Sequence, residues 1–113
     1  MVRASTLPER NDPYFLAAVV KSLYANESNL TVLNLSDSSI TDANMLRLAD
    51  AISENSHLKE INLSRNQLTY LSMDDFAKSL RTNSSITSLN FAENAIGSEG
   101  ATKLSIAFMG DLK

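Results

Sequence analysis

The chain has 113 residues, enough for one domain with a modest core. Apolar residues make up 43% and charged residues 20%, which argues against a disordered chain, and the absence of cysteine excludes disulfides and thiol chemistry. Thirteen acidic against ten basic residues give a net charge of −3, which disfavours nucleic acid as a partner, because a phosphate backbone needs a basic surface.

Residues 1–12 carry Pro8 and the polar run Glu9-Arg10-Asn11-Asp12, and are expected to form a flexible arm or partial cap. No apolar segment of the secretory type lies between Met1 and Pro13. The longest apolar run, Phe15 to Val20, is far short of a membrane span. With the missing cysteines, these features predict a cytoplasmic protein with no membrane partner. A helix is expected to start at Pro13, with Asp12 as its N-cap, because proline suits the first helical position. Phe15, Leu16, Val19, Val20 and Leu23 give that helix an apolar stripe, and Asn26 ends it.

From Leu30 onward the chain repeats. Leu30-x-x-Leu33-x-Leu35-x-x-Ser38-x-Ile40 is followed by Leu58-x-x-Ile61-x-Leu63-x-x-Asn66-x-Leu68. Ile86-x-x-Leu89-x-Phe91-x-x-Asn94-x-Ile96 follows in turn, always at an interval of 28 residues. A period of this length marks stacked units, none of which can bury its own apolar face. Each unit reads as a short strand, a polar turn and a helix. The strands send Leu33 and Leu35, Ile61 and Leu63, and Leu89 and Phe91 inward. Helices are predicted over 42–54, 74–81 and 98–109. Their stripes are Met45, Leu48, Ala49 and Ile52, then Phe76, Ala77 and Leu80, then Ala101, Leu104 and Phe108. Asn26, Asn55 and Asn83 punctuate the helix ends, and Asp111 falls at the next such place.

This pattern resembles the leucine-rich repeat family, and its repeat length with a helix in each unit resembles the ribonuclease-inhibitor type. The implied fold is an α/β leucine-rich-repeat solenoid: a curved parallel sheet on the concave side and helices on the convex side. The expected organisation is an arm at 1–12 and a repeat domain at 13–113, made of a partial unit 13–29 and full units 30–57, 58–85 and 86–113. Strands sit roughly 4.8 Å apart and packed helices roughly 8 to 10 Å, so the stack must bend. The resemblance also implies that Asn66 and Asn94 point inward and bond to the backbone of adjacent turns. Ser38 replaces asparagine in the first unit, so its turn is expected to be looser.

Residues that could carry chemistry read as structural. His57 is the only histidine; no second ligand type accompanies it, and it is expected in an exposed loop. Asp74-Asp75 opens a predicted helix, where acidic side chains favour the positive end of the dipole, as do Thr41-Asp42 and Ser98-Glu99 at matching places. Gly97 and Gly100 lack the further glycines and the lysine of a phosphate cradle. Thr41 and Asn44, then Thr69 and Ser72, occupy the matching positions, so glycine is not expected to be required there. No cofactor or metal is implied.

What remains is the outward side of the strands, with an Asn34-Asn62-Asn90 ladder at its centre. The candidate contact residues for a protein partner are Asn34, Glu60, Asn62, Ser64, Arg65 and Asn90, with Arg65 of a type favoured at interface hot spots. The expected function is a non-catalytic recognition or scaffold segment. The run Ala-Asp-Ala-Ile-Ser-Glu-Asn-Ser-His-Leu-Lys at 49–59 is also similar to tropomodulin actin-capping domains and to GTPase-activating proteins of the Ran class, which makes a regulator the alternative. A further alternative is a piece of a longer array that self-associates through open solenoid ends, since unpaired strand edges pair with other chains.

Overall fold

The computed structural model describes residues 7–9 and 12–111, the last six of these by backbone only. The elements in order are α1 (Phe15–Ala25), β1 (Val32–Asn34), α2 (Asp42–Glu54), β2 (Glu60–Asn62), a 3-10 turn (Tyr70–Ser72), α3 (Met73–Thr82), β3 (Ser88–Asn90) and α4 (Gly97–Asp111). The strands form one parallel sheet in the order β1-β2-β3, and Leu33, Ile61 and Leu89 stand opposite one another. Parallel strands require a crossover, and α2 and α3 supply it. The fold is therefore the α/β leucine-rich-repeat solenoid that the 28-residue period implies.

The core lies between sheet and helices. Leu30, Leu35, Leu48, Ile52, Leu58, Leu63, Leu68 and Phe76 are fully buried, and Leu33 and Ile61 nearly so. The predicted stripes of α1, α2 and α3 are on the buried side, with Leu16 only partly covered. Leu7 packs against the same core, while most of the expected arm lies outside the described residues.

The helix starts differ from expectation in instructive ways. α1 begins two residues after Pro13. Asp12 accepts a hydrogen bond from the Tyr14 N–H at 2.8 Å and so caps the turn before the helix. α2 begins at Asp42 under a reciprocal cap: Thr41 Oγ1 accepts from Asn44 N, and Asn44 Oδ1 accepts from Thr41 N. In the middle unit the corresponding stretch forms the 3-10 turn, and α3 starts at Met73. In the third unit Ala101 is exposed, and Gly100 takes the buried place. A Cβ on Gly100 would stand 2.9 Å from Ile96 Cβ and 3.0 Å from Met73 Cγ, so α4 needs glycine there to seat against the middle unit. Gly97 has φ +65°, a left-handed conformation, where Thr41 and Thr69 are extended. Glycine is thus favoured at both positions of this unit, which the comparison with the matching residues of the other units does not reveal. Phe108 and its neighbours Ile106, Ala107 and Met109 lie outside the residues with described side chains.

Two sets of asparagines tie the units together. Asn66 Nδ2 donates to the carbonyls of Leu35 and Leu63 at 2.9 Å, and its Oδ1 accepts from Ser38 N at 3.0 Å and Ile40 N at 2.9 Å. Asn94 repeats the pattern on Leu63, Phe91 and Leu68. The first turn is held from outside, because Asn66 reaches back to it, and Ser38 Oγ donates to Ser36 O. One difference remains in that turn: Ser39 adopts a second left-handed conformation, which the later units lack. The second set sits at the helix exits. Buried Asn55 donates to Leu23 O and accepts from the N–H groups of His57 and Leu58. Buried Asn83 donates to Ile52 O and Asn55 O and accepts from Ser85 N and Ile86 N. The sequence presents these two only as helix punctuation.

Candidate protein-binding face

The register fixes the outer side of the sheet. Val32, Glu60 and Ser88 form one row, and Asn34, Asn62 and Asn90 the next. Val32, Glu60, Asn34 and Asn90 are exposed, and Asn62 is half-buried between its neighbours. The asparagine ladder has a local task as well. Asn34 Oδ1 accepts from Ser36 N at 3.1 Å, Asn62 Oδ1 from Ser64 N at 2.9 Å, and Asn90 Oδ1 from Ala92 N at 2.9 Å. Each side chain closes a turn at the end of its strand. Their Nδ2 groups have no hydrogen-bond acceptor among the described residues and are the donors this face offers.

Strand alternation ends at these turns, which corrects one expectation. Ser64, predicted to face outward, is 7% exposed, and Ser36 is 6% exposed. Neither presents a contact surface. The next residue does. Asp37, Arg65 and Glu93, again 28 apart, take left-handed conformations with φ of 53°, 54° and 58°. All three are exposed and stand at the rim of the sheet. The backbone N–H groups of Asp37 and Arg65 are satisfied, since Asp37 N donates to Ser64 O and Arg65 N to Ala92 O at 2.9 Å. The rim therefore presents alternating charges, negative, positive and negative, on a fixed backbone. Asparagine, aspartate and glycine commonly mark left-handed positions, so the residue type gives a signal at Asp37 but none at Arg65 and Glu93.

The other residues singled out have structural partners. His57 is half-buried, and its Nδ1 lies 3.1 Å from Asn26 Oδ1. Asn26 is the left-handed C-cap of α1, so this contact joins two helix exits rather than leaving the ring in an exposed loop. Asp74 pairs with Lys103 at 2.9 Å, linking α3 to α4. Asp42 accepts from Thr69 N at 2.9 Å and from Thr69 Oγ1 at 2.5 Å. Burial would raise its pKa, but the hydrogen bonds from Thr69 and Ser72 outweigh it and hold the carboxyl below the usual range. Among the described residues no cluster of three metal-ligating side chains occurs, and no helix is long and apolar enough to cross a membrane.

The Leucine Rich repeat family profile matches this chain three times, at residues 27–49, 54–77 and 82–105. A search of curated proteins finds no match. Among solved structures, the chain resembles "Leiomodin-1 Actin-Binding Site 2 (ABS2)" with a TM-score of 0.73 at 18% identity; the likeness covers 90% of this chain and 61% of that one. The chain thus spans about three-fifths of that relative. The tropomodulin C-terminal domain of Caenorhabditis elegans gives a TM-score of 0.43 at 12% identity, over 86% of this chain and 93% of the other. With three matched repeats covering more than half of its residues, the chain belongs to the leucine-rich repeat family.

Proposed function

We propose that this chain is a non-catalytic protein-recognition module that contacts its partner through the outer side of the sheet and the adjoining rim. One observation carries the reading: side chains from three strands and three turns stand in register on a hydrogen-bonded frame, with Glu60 and Asn62 at the centre and Arg65 at the rim. A rigid frame loses little conformational freedom on binding, so modest polar contacts yield more affinity. Asn34 and Asn90 extend the surface to either side. Charge reversal at Glu60 and Arg65→Ala should each weaken capture of a binding partner by about tenfold, with the melting temperature unchanged. Capture retained in both variants would move the site to the loops or the convex helices. We assign the module to the cytoplasm and to the ribonuclease-inhibitor-like type, the latter on its 28-residue period with a helix in every unit.

A second reading is regulation of actin filaments. It is motivated by the likeness of fold to the leiomodin-1 actin-binding site over 90% of this chain. Co-sedimentation with filaments and pyrene-actin elongation test it directly. Absence of both binding and an effect on elongation would discard it. A GTP-hydrolysis assay tests the Ran-class alternative in the same way. Self-association through the outer edges of β1 and β3 is tested by light scattering over a concentration series.

A further inference from the structure

The convex side holds a groove that the sheet-face reading does not use. α2 and α3 pack side by side, and a cleft of about 240 Å³ lies between them. Buried Ala49 and Ser79 line it, and their small side chains leave it unfilled. Ser79 Oγ donates to Phe76 O at 2.7 Å, so its hydroxyl hydrogen is already bonded within the helix. Leu46 and Asp50 line the cleft from α2, and Asp75 and Lys78 from α3.

Three observations say what would fit. First, Leu46 is 55% exposed, and Leu71 on the 3-10 turn is 65% exposed four residues before Asp75. α2 packs against that turn. The turn is held in place: Asp42 grips Thr69, Leu71 N donates to Thr69 Oγ1 at 3.2 Å, and Ser72 Oγ donates to Thr69 O at 3.3 Å. Leu71 is therefore a fixed apolar knob and not a side chain on a loose loop. Second, the charge is unbalanced. Asp50 and Asp75 line the cleft against Lys78 alone; beyond the lining, exposed Glu54 is offset by exposed Arg47, and Lys103 of α4 is engaged by Asp74. Tyr24 Oη donates to Asp50 Oδ2, while Asp50 Oδ1 has no hydrogen bond among the described residues. Third, the lining on α2 runs from Leu46 to Ser53, roughly 10 Å or two helical turns. Two side-by-side helices with apolar side chains at one end accept a third helix laid along them.

We propose that the α2–α3 groove docks a short amphipathic helical segment of a protein partner, its apolar side chains against Leu46 and Leu71 and its lysines or arginines facing Asp50 and Asp75. The probe is a library of random displayed peptides selected on the whole chain, followed by binding measurements on synthetic copies of the winners. The expected winners combine lysine or arginine with leucine or phenylalanine at three-to-four-residue spacing. Leu46→Glu with Leu71→Glu should lower their affinity by at least about tenfold. Asp75→Lys should do the same and serves as the second variant, in case the double variant loses its circular-dichroism signature. Added salt should weaken binding, since Asp50 is exposed and Asp75 only half-buried. Glu60→Lys on the sheet face should leave it unchanged, which separates this site from the sheet-face reading. Acidic or unrelated winners, full binding by the variants, loss of binding in Glu60→Lys, or a dimer of this chain closing the groove would each overturn the proposal.

Discussion

The second and third units carry nearly the same consensus, yet they are buried to different degrees. Leu58, Ile61, Leu63 and Leu68 of the second unit are buried, three of them completely. Their counterparts Ile86, Leu89, Phe91 and Ile96 are only partly covered. The residue types are not the cause, because Phe91 is larger than Leu63 and would bury more area if it could. Among the described residues, β2 has a strand on each side, and β3 has one only on the side of β2. In a linear stack burial comes from the neighbour, so the same motif contributes differently according to its place. Phe91 partly compensates by an edge-to-face contact with Phe76, with ring centroids 5.2 Å apart.

The sharpest way to break this comparison is truncation at equivalent positions. Leu63→Ala should cost about 2 to 5 kcal/mol in urea denaturation, against about 1 kcal/mol or less for Asn62→Ala next to it. Phe91→Ala should cost less than Leu63→Ala although it deletes more atoms. A larger loss at Phe91 would mean that β3 is as well covered as β2. Asn83→Ala comes next, at about 1 to 3 kcal/mol, because it strands Ser85 N and Ile86 N as well as two carbonyls. Its melting temperature should fall further than that of Asn90→Ala, whose carbonyl serves one turn only.

Gly100→Ala probes the seam between the two units. The added methyl meets Ile96 and Met73, so a cost of about 1 to 3 kcal/mol is expected. Amide exchange should then rise in β3 and α4 more than in β2. Equal acceleration everywhere would show one cooperative unit instead of a graded stack. The smallest effect concerns pH. Asp42 has its pKa lowered in the fold, so its contribution is present above the unfolded value of 3.8 and is lost as pH falls through the folded value below it. Asp42→Asn should therefore flatten the acid limb of the stability curve below about pH 4, leaving the neutral-to-alkaline limb parallel to that of the parent. An unchanged acid limb would remove Asp42 from the link between the first and second units.

Much of this architecture could be read in advance, and the exceptions have physical reasons. The 28-residue interval and the stripes of Met45, Leu48, Ala49 and Ile52 follow from burial, which apolar periodicity encodes directly. The span Asp42–Glu54 was readable because α2 starts at a capping threonine and stops at Asn55. The 3-10 turn at Tyr70–Ser72 was not, because an apolar Tyr-Leu pair before an acidic pair carries no turn signal. Of the proposed contact face, the strand rows and the exposure of Arg65 were legible, but the left-handed turn that carries Arg65 was not. Ser64 was expected outward by alternation, yet Asn62 turns the chain one residue earlier, and Arg65 takes its outward place in a conformation that its type does not advertise. Asn55 and Asn83 show the same limit: a side chain that merely stops a helix and one that also reaches the preceding unit look identical until the carbonyls are in view.

Those helix-exit asparagines have a genetic consequence. Asn83 spans from its own exit to Ile52 and Asn55, and Asn55 from its own to Leu23. An insertion of a single residue between Asn55 and Asn83 would throw one amide out of step with the carbonyls it must reach. A duplication of a whole period would not, because each copy would arrive with its own amide in place. The module is therefore built to lengthen or shorten by entire units of 28 residues and to resist drift in between. The link from Leu23 to Leu30 is a residue longer than its counterparts, and Asn26 within it still reaches Ser56 of the following unit.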